Sequence, residues 1–195
     1  FGLAIVNFLD NTAHYVLPST FVLYADYRYH WGERTVGYVL AAVGVCSAIV
    51  QAVLAGPVMK RLGERRTLIV GMTFGVVGFA IYGAASTGLG FMIGIPIMSL
   101  WGLAAPASQA LMSRQVNASE QGRLQGAIAS LGSLAGIFAP FVFASVFAAV
   151  IGTHADLQQP GAAFYLSALL VFAATVVAWS ATRDEPKLDK QPAEK

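Results

Sequence analysis

Charge is what this sequence has least of. Only 11% of its 195 residues are Asp, Glu, Lys or Arg, against 56% that are hydrophobic, and the mean hydropathy is +0.64. A water-soluble domain carries about 25% charged residues, because it needs a wetted surface. So few charges cannot cover a globule in water, and the deficit is absorbed only if lipid is the outer solvent. The composition therefore predicts an integral membrane protein. Cysteine is nearly absent too: Cys46, inside an apolar run, is alone and cannot form an intrachain disulfide. It reads as a small packing residue, which is how most free cysteines behave. The net charge is only +2 and the basic residues are dispersed at segment ends, which argues against a nucleic-acid partner. Catalytic signatures are missing as well. There is no H-E-x-x-H, "GSLAG" at 132–136 has the wrong order for G-x-S-x-G, and His14, His30 and His154 lie in separate regions. An intramembrane hydrolase is disfavoured, and neither a metal nor a cofactor is expected. The chain opens on Phe1 already inside an apolar run, with no basic leader, cleavage site or initiator methionine, and is expected to be a piece of a longer protein.

What is abundant is long apolar sequence. Six segments, at about 1–25, 35–58, 67–86, 88–112, 124–151 and 161–182, are each close to the ~20 residues a helix needs to cross the hydrocarbon core. They are too long and too uniformly apolar for barrel strands. The predicted class is an all-α membrane protein with a six-helix transmembrane bundle over 1–182. Residues 183–195, "RDEPKLDKQPAEK", form a charged tail expected to lack order. Polar connections separate the spans: "DYRYHWGER" suits a headgroup interface, "KRLGERR" is strongly basic, and His154 and Asp156 fall in a solvated fifth loop. With six spans, both termini and the second and fourth loops share one side. That side holds ten of the 12 Lys and Arg residues, leaving only Arg28 and Arg34 opposite, so the termini are expected to be cytoplasmic.

Small residues recur inside the spans. In the fifth, Gly122, Gly126 and Ser130, then Gly132, Gly136 and Pro140, repeat every fourth position. Such rows let helix backbones approach closely in lipid. The row serves packing alone, or it forms a seam that slides while Pro140 weakens the helix locally.

The first span carries a different pattern. In "NFLDNTAHYVLPSTF", Asn7, Asp10, Asn11 and His14 are spaced to share one helical face. Asp10 is the only Asp, Glu, Lys or Arg well inside any span. A charge at the bilayer centre costs at least ~2.5–3.5 kcal/mol, so such groups face a cavity or a partner. His14, one turn on, is within reach of Asp10 if the helix is regular. The stripe lines an internal passage or is a structural pair fixing this helix to its neighbours. Pro18 is expected to interrupt the helix above it. Gln51 and Gln109 are single amides that bond either a neighbouring helix or a ligand. Phe74, Trp101 and Tyr38 form an aromatic wall or merely pack.

The second loop, Gly56-Pro57-Val58-Met59-Lys60-Arg61-Leu62-Gly63-Glu64-Arg65-Arg66, resembles the G-x-x-x-D-R-x-G-R-R signature of major facilitator superfamily transporters. Gly56, Arg61, Gly63, Arg65 and Arg66 match, while Lys60 stands at the acidic position. Gly63 permits a tight turn there, and the arginines suit cytoplasmic headgroups. "PASQALMSRQVNASEQGRLQGAIASLGSLAG" and Tyr29-His30-Trp31 followed by Val36-Gly37 are similar to the tetracycline-efflux branch. The resemblance runs over about 1–182 and implies helices seven to twelve of a twelve-helix proton antiporter in a bacterial inner membrane. The partner would be the N-terminal six-helix half, and the cargo small amphipathic compounds exchanged for protons. Their place inside apolar spans, rather than the resemblance, makes Asn7, Asp10, Asn11 and His14 the candidates for the transport path or proton coupling, with Gln51, Gln109, Phe74 and Trp101 as possible cavity residues. Where that branch has an eighth-helix histidine and a ninth-helix carboxylate, this chain has Ser47 and Gly75. The alternative to transport is a non-transporting scaffold or assembly subunit.

Overall fold

The computed structural model describes residues 2–152 and 159–183. His154, Asp156 and nearly all of the charged tail therefore lie outside the described residues. Everything described is helix or short connection. Helices α1 (Gly2–His14) and α2 (Val16–Tyr29) are followed by α3 (Glu33–Ile49), a π turn (Val50–Leu54) and α4 (Ala55–Leu62). Then come α5 (Glu64–Ala84), α6 (Gly88–Ser99), a 3-10 turn (Leu100–Leu103) and α7 (Ala104–Ser113). A second 3-10 turn (Ala118–Glu120), α8 (Gln121–Ile151) and α9 (Ala162–Ala181) complete the order.

Five of these helical stretches are long and apolar enough to cross a membrane among the described residues: 33–62, 64–84, 88–113, 118–151 and 162–181. They correspond to the second to sixth apolar segments. The first segment carries the interruption expected of Pro18, but a turn before the proline itself. It is not one helix but two of 13 and 14 residues, each too short to span alone at ~1.5 Å per residue, divided at Tyr15. Pro18 explains the position of the break. It has no N–H for the carbonyl of His14, four residues earlier, and its ring crowds that carbonyl. The helix therefore parts one turn before the proline, and Pro18 falls in the first turn of α2, where a missing N–H costs nothing.

The same rule explains the two irregular turns at mid-span. Pro57 cannot donate to the carbonyl of Val53, within the π turn, and Pro106 cannot donate to that of Gly102, within the 3-10 turn. These turns face each other, and Gln51 Nε2 donates across to the Gly102 oxygen at 3.3 Å. An amide from one span thus satisfies a carbonyl that a proline orphaned in another. Pro140 has no comparable effect, since α8 continues through it as regular helix.

α5 is the most buried span, whereas most of α3 and α8 is exposed. Its glycines explain how neighbours come so close. A Cβ on Gly71 would lie 2.7 Å from the Ala104 nitrogen, on Gly75 2.8 Å from the Trp101 ring, and on Gly78 2.6 Å from Met98 Sδ. The row predicted in α8 behaves unevenly. Gly132 sits near Asn11 and Gly136 against the Tyr15 hydroxyl, but Gly122 and Gly126 have no described atom within 4 Å. Close packing therefore follows Gly71, Gly75 and Gly78 rather than Gly126.

Each end of the bundle has its own fastening. At one end, Tyr24 donates to the Tyr82 carbonyl at 2.9 Å and Tyr29 to the Ala85 carbonyl at 2.8 Å, beside Phe91 stacked on Tyr82 at 4.0 Å. The other end is the basic one. Gly63, at φ 78°, turns α4 directly into α5, a left-handed conformation open to glycine at no steric cost. Arg65 Nε then donates to Thr182 Oγ1 at 3.0 Å while its guanidinium lies 5.3 Å from the Trp179 ring. Glu64 pairs with Arg114 at 2.7 Å. Arg61 and Arg66 are exposed, and Gly56 has open space around it. The polar connection before α8 is closed by a capping box in which Asn117 and Glu120 each satisfy the other's backbone.

Candidate functional site

The polar stripe survives folding intact. Asn7, Asp10, Asn11 and His14 all line one cavity of about 310 Å³, and Asp10 and His14 also border a larger one of about 640 Å³. Along α1, Asn11 Nδ2 donates to the Asn7 carbonyl at 2.8 Å and to its Oδ1 at 3.1 Å. Helical spacing alone accounts for this pair.

Asp10 and His14 do not bond each other directly. Instead the Trp101 indole N–H donates to Asp10 Oδ1 at 2.9 Å, and the His14 and Trp101 rings lie 5.2 Å apart. The direct contact considered from sequence is thus replaced by a three-residue arrangement in which Trp101 touches both partners. Trp101 is held from below as well. Gly75 offers no side chain to displace the indole, and Phe79 meets it edge-on at 5.1 Å. Only 7% of Trp101 is exposed, so its N–H needs a buried acceptor, and Asp10 supplies one.

The two cavities differ in lining. The larger runs between α1, α2, α3 and the α6–α7 span, with Leu17, Phe21, Leu40, Val43, Tyr82, Phe91 and Met98 as apolar walls. Polar groups are few there: Asp10, His14, Ser47, Gln51 and Ser99. This is the usual make-up of a pocket for an amphipathic small molecule, with apolar walls and sparse polar anchors. The smaller cavity adds Ser108 and Gln109 to the asparagines, with Leu68, Met72, Met112 and Ile128.

Of the residues singled out from sequence, Gln51 and Trp101 border the larger cavity and Gln109 the smaller. Phe74 borders neither. α5 turns the face of Gly71, Gly75, Gly78 and Tyr82 inward, and position 74 lies about 100° around the helix from 75. Tyr38 is 71% exposed on α3. Sequence reasoning missed Phe21, Tyr82, Phe91 and Ser108. Their apolar or small-polar character is shared with dozens of lipid-facing neighbours. Only Ser108 lay within a recognisable motif, "PASQALMSRQV".

The Trp101–Asp10 bond makes a measurable claim. Trp101→Phe keeps a ring but deletes the N–H, and should lower stability in detergent by about 1–3 kcal/mol, the usual cost of unpairing a buried polar group. Thermal unfolding of purified protein checks this, and an unchanged midpoint would count against the bond.

A bundle of membrane-length helices, interrupted at mid-span by proline-linked turns that border internal cavities, is the architecture of a multi-pass membrane protein. Comparison with known proteins agrees: the profile of the Major Facilitator Superfamily matches residues 3–195, and the chain belongs to that family. It is 35% identical over 172 residues to the class C tetracycline resistance protein of Escherichia coli, covering 86% of this chain and 43% of that protein. It is 36% identical over 165 residues to the class G protein of Vibrio anguillarum, covering 84% and 42%. Against the class D protein of Salmonella ordonez it is 34% identical over 148 residues, covering 74% and 38%. The chain thus spans less than half the length of the curated relatives it matches.

Proposed function

We propose that this chain is one half of a proton-coupled exporter of small amphipathic molecules. It works with a second, N-terminal six-helix half in a bacterial inner membrane. Similarity to tetracycline resistance proteins over less than half their length supports the two-half arrangement and the drug-like cargo. The ten-to-two distribution of Lys and Arg supports cytoplasmic termini. One observation carries the reading: the single carboxyl deep in the apolar spans stands where two cavities meet, held by a tryptophan of another helix.

The chemistry is differential binding. Substrate occupies the larger cavity, its apolar part against Phe21, Phe91 and Met98 and its polar part towards Asp10, His14 and Gln51. Gain or loss of a proton at Asp10 alters the cost of leaving that carboxyl dry, and so biases which side the two halves open to. Ser47 and Gly75 place no titratable group at the two positions where the resembled branch carries one, leaving Asp10 and His14 as the candidates for coupling within this chain.

The test uses the full-length protein in proteoliposomes. A panel of amphipathic dyes and antibiotics is followed with an imposed proton gradient and again after a protonophore. Gradient-dependent movement of at least one compound supports the reading. Movement of none, in protein shown to be inserted, favours the scaffold alternative.

A further inference from the structure

The transport reading uses the larger cavity and leaves the smaller one beside it without a task. Its position is informative. Leu68 lies one turn from Glu64, which pairs with Arg114, and Met112 lies just before that arginine. The smaller cavity therefore sits between Asp10 and the basic end of the bundle. Phe21, Tyr82 and Phe91 place the larger one on the opposite side of Asp10. Asp10 and His14 border both, while Trp101 borders only the larger.

One of its polar groups has no protein partner. Ser108 is only 7% exposed, and its Oγ has no hydrogen-bond partner among the described residues. Buried hydroxyls are almost always bonded to protein or to ordered water, and a polar cavity of this size has room for several waters at ~30 Å³ each. Asn7, Asn11 and Gln109 border the same space and can hold such waters. Asp10 is the only Asp, Glu, Lys or Arg that lines the chamber. α7 and α9 contain none, α8 contains only the exposed Arg123, those of α2 are Asp26 and Arg28 near its far end, and those of α5 are Glu64, Arg65 and Arg66 at its start, where Glu64 is paired with Arg114.

We propose that the smaller cavity is a hydrated antechamber through which Asp10 exchanges its proton with the basic-loop side of the membrane. This rests on the transport reading and specifies its proton route. The ligand is water. A neutral Asp10 carboxyl gives its proton to a water in the chamber, leaving a carboxylate that still accepts from the Trp101 N–H. The resulting hydronium passes its proton along the waters near Ser108, Asn7 and Asn11 to bulk solvent. Trp101 stays on the substrate side, so the proton and the cargo meet at Asp10 without sharing a path.

Cysteine labelling tests whether the chamber is wet. In a full-length protein whose other cysteines are removed, including Cys46→Ala, Ser108→Cys should react with methanethiosulfonate ethylammonium added from the basic-loop side. A thiol that resists this small charged reagent from that side overturns the antechamber. Ser108→Leu, which fills the space with hydrocarbon, tests the route in proteoliposomes. It should abolish gradient-driven accumulation of the cargo while leaving its binding and its exchange in the absence of a gradient. Gradient-driven transport at the wild-type rate overturns the antechamber but leaves the transport reading standing. That reading fails separately if Asp10→Asn also transports normally under a gradient.

Discussion

Asp10→Asn is expected to leave the protein inserted and folded while abolishing gradient-driven export. The amide has the shape of the acid and keeps an oxygen to accept from the Trp101 N–H, so the 2.9 Å contact can survive. What it loses is the ability to bind and release a proton. It also removes the one ionisable carboxyl deep in the apolar spans, and with it the cost of holding a carboxylate there. Expression and thermal stability should therefore hold or rise. This combination separates a functional carboxyl from a structural one: a carboxyl retained for packing would cost stability on replacement and leave transport untouched. Cargo exchange without a gradient should persist, because the larger cavity is unaltered. Proton-driven export at the wild-type rate would remove the foundation of the proposed mechanism.

The second large effect concerns stability. Gly161→Ala should destabilise the bundle by about 1–3 kcal/mol or more, as expected for overpacking at a tight contact. A Cβ there would collide with the Gly83 carbonyl oxygen and stand 2.6 Å from the Gly83 Cα. Both are backbone atoms, so no flexible side chain can move aside, and the end of α5 must part from the start of α9. Each lost kcal/mol lowers the melting midpoint by about 2–4 °C in a chain of this size. Gly37→Ala provides the contrast. Nothing lies within 4 Å of its would-be Cβ, and a helical alanine is favoured over glycine by about 0.5–1 kcal/mol, so this change should be neutral or stabilising. Equal midpoints for the two variants would refute the close approach of Gly83 and Gly161.

Much of the site could be read from sequence, for a definite reason. Asn7, Asp10, Asn11 and His14 belong to one helix, and helical geometry alone decides that they share a face. The partner of Asp10 is another matter. Trp101 comes from 91 residues away, and the indole reaches the carboxyl only because Gly75 leaves room beneath it. The break at Tyr15 is intermediate. Pro18 announces it, but the rule names the carbonyl four residues upstream, so the interruption falls a turn earlier than the proline itself.

By itself, then, the sequence determined the solvent, the apolar segments, the bias of basic charge to one end and the existence of a polar face on the first helix. Each follows from residue type and local periodicity. Tertiary structure decided which glycines are crossing points, which aromatics face a cavity and which tryptophan meets the buried acid. In lipid, the outward and inward faces of a helix are equally apolar, so hydropathy carries no record of how each helix is rotated. Phe91 and Phe141 read alike in the sequence, yet the first is 1% exposed against the cavity wall and the second is 73% exposed. Only the packing of one helix against the next distinguishes them.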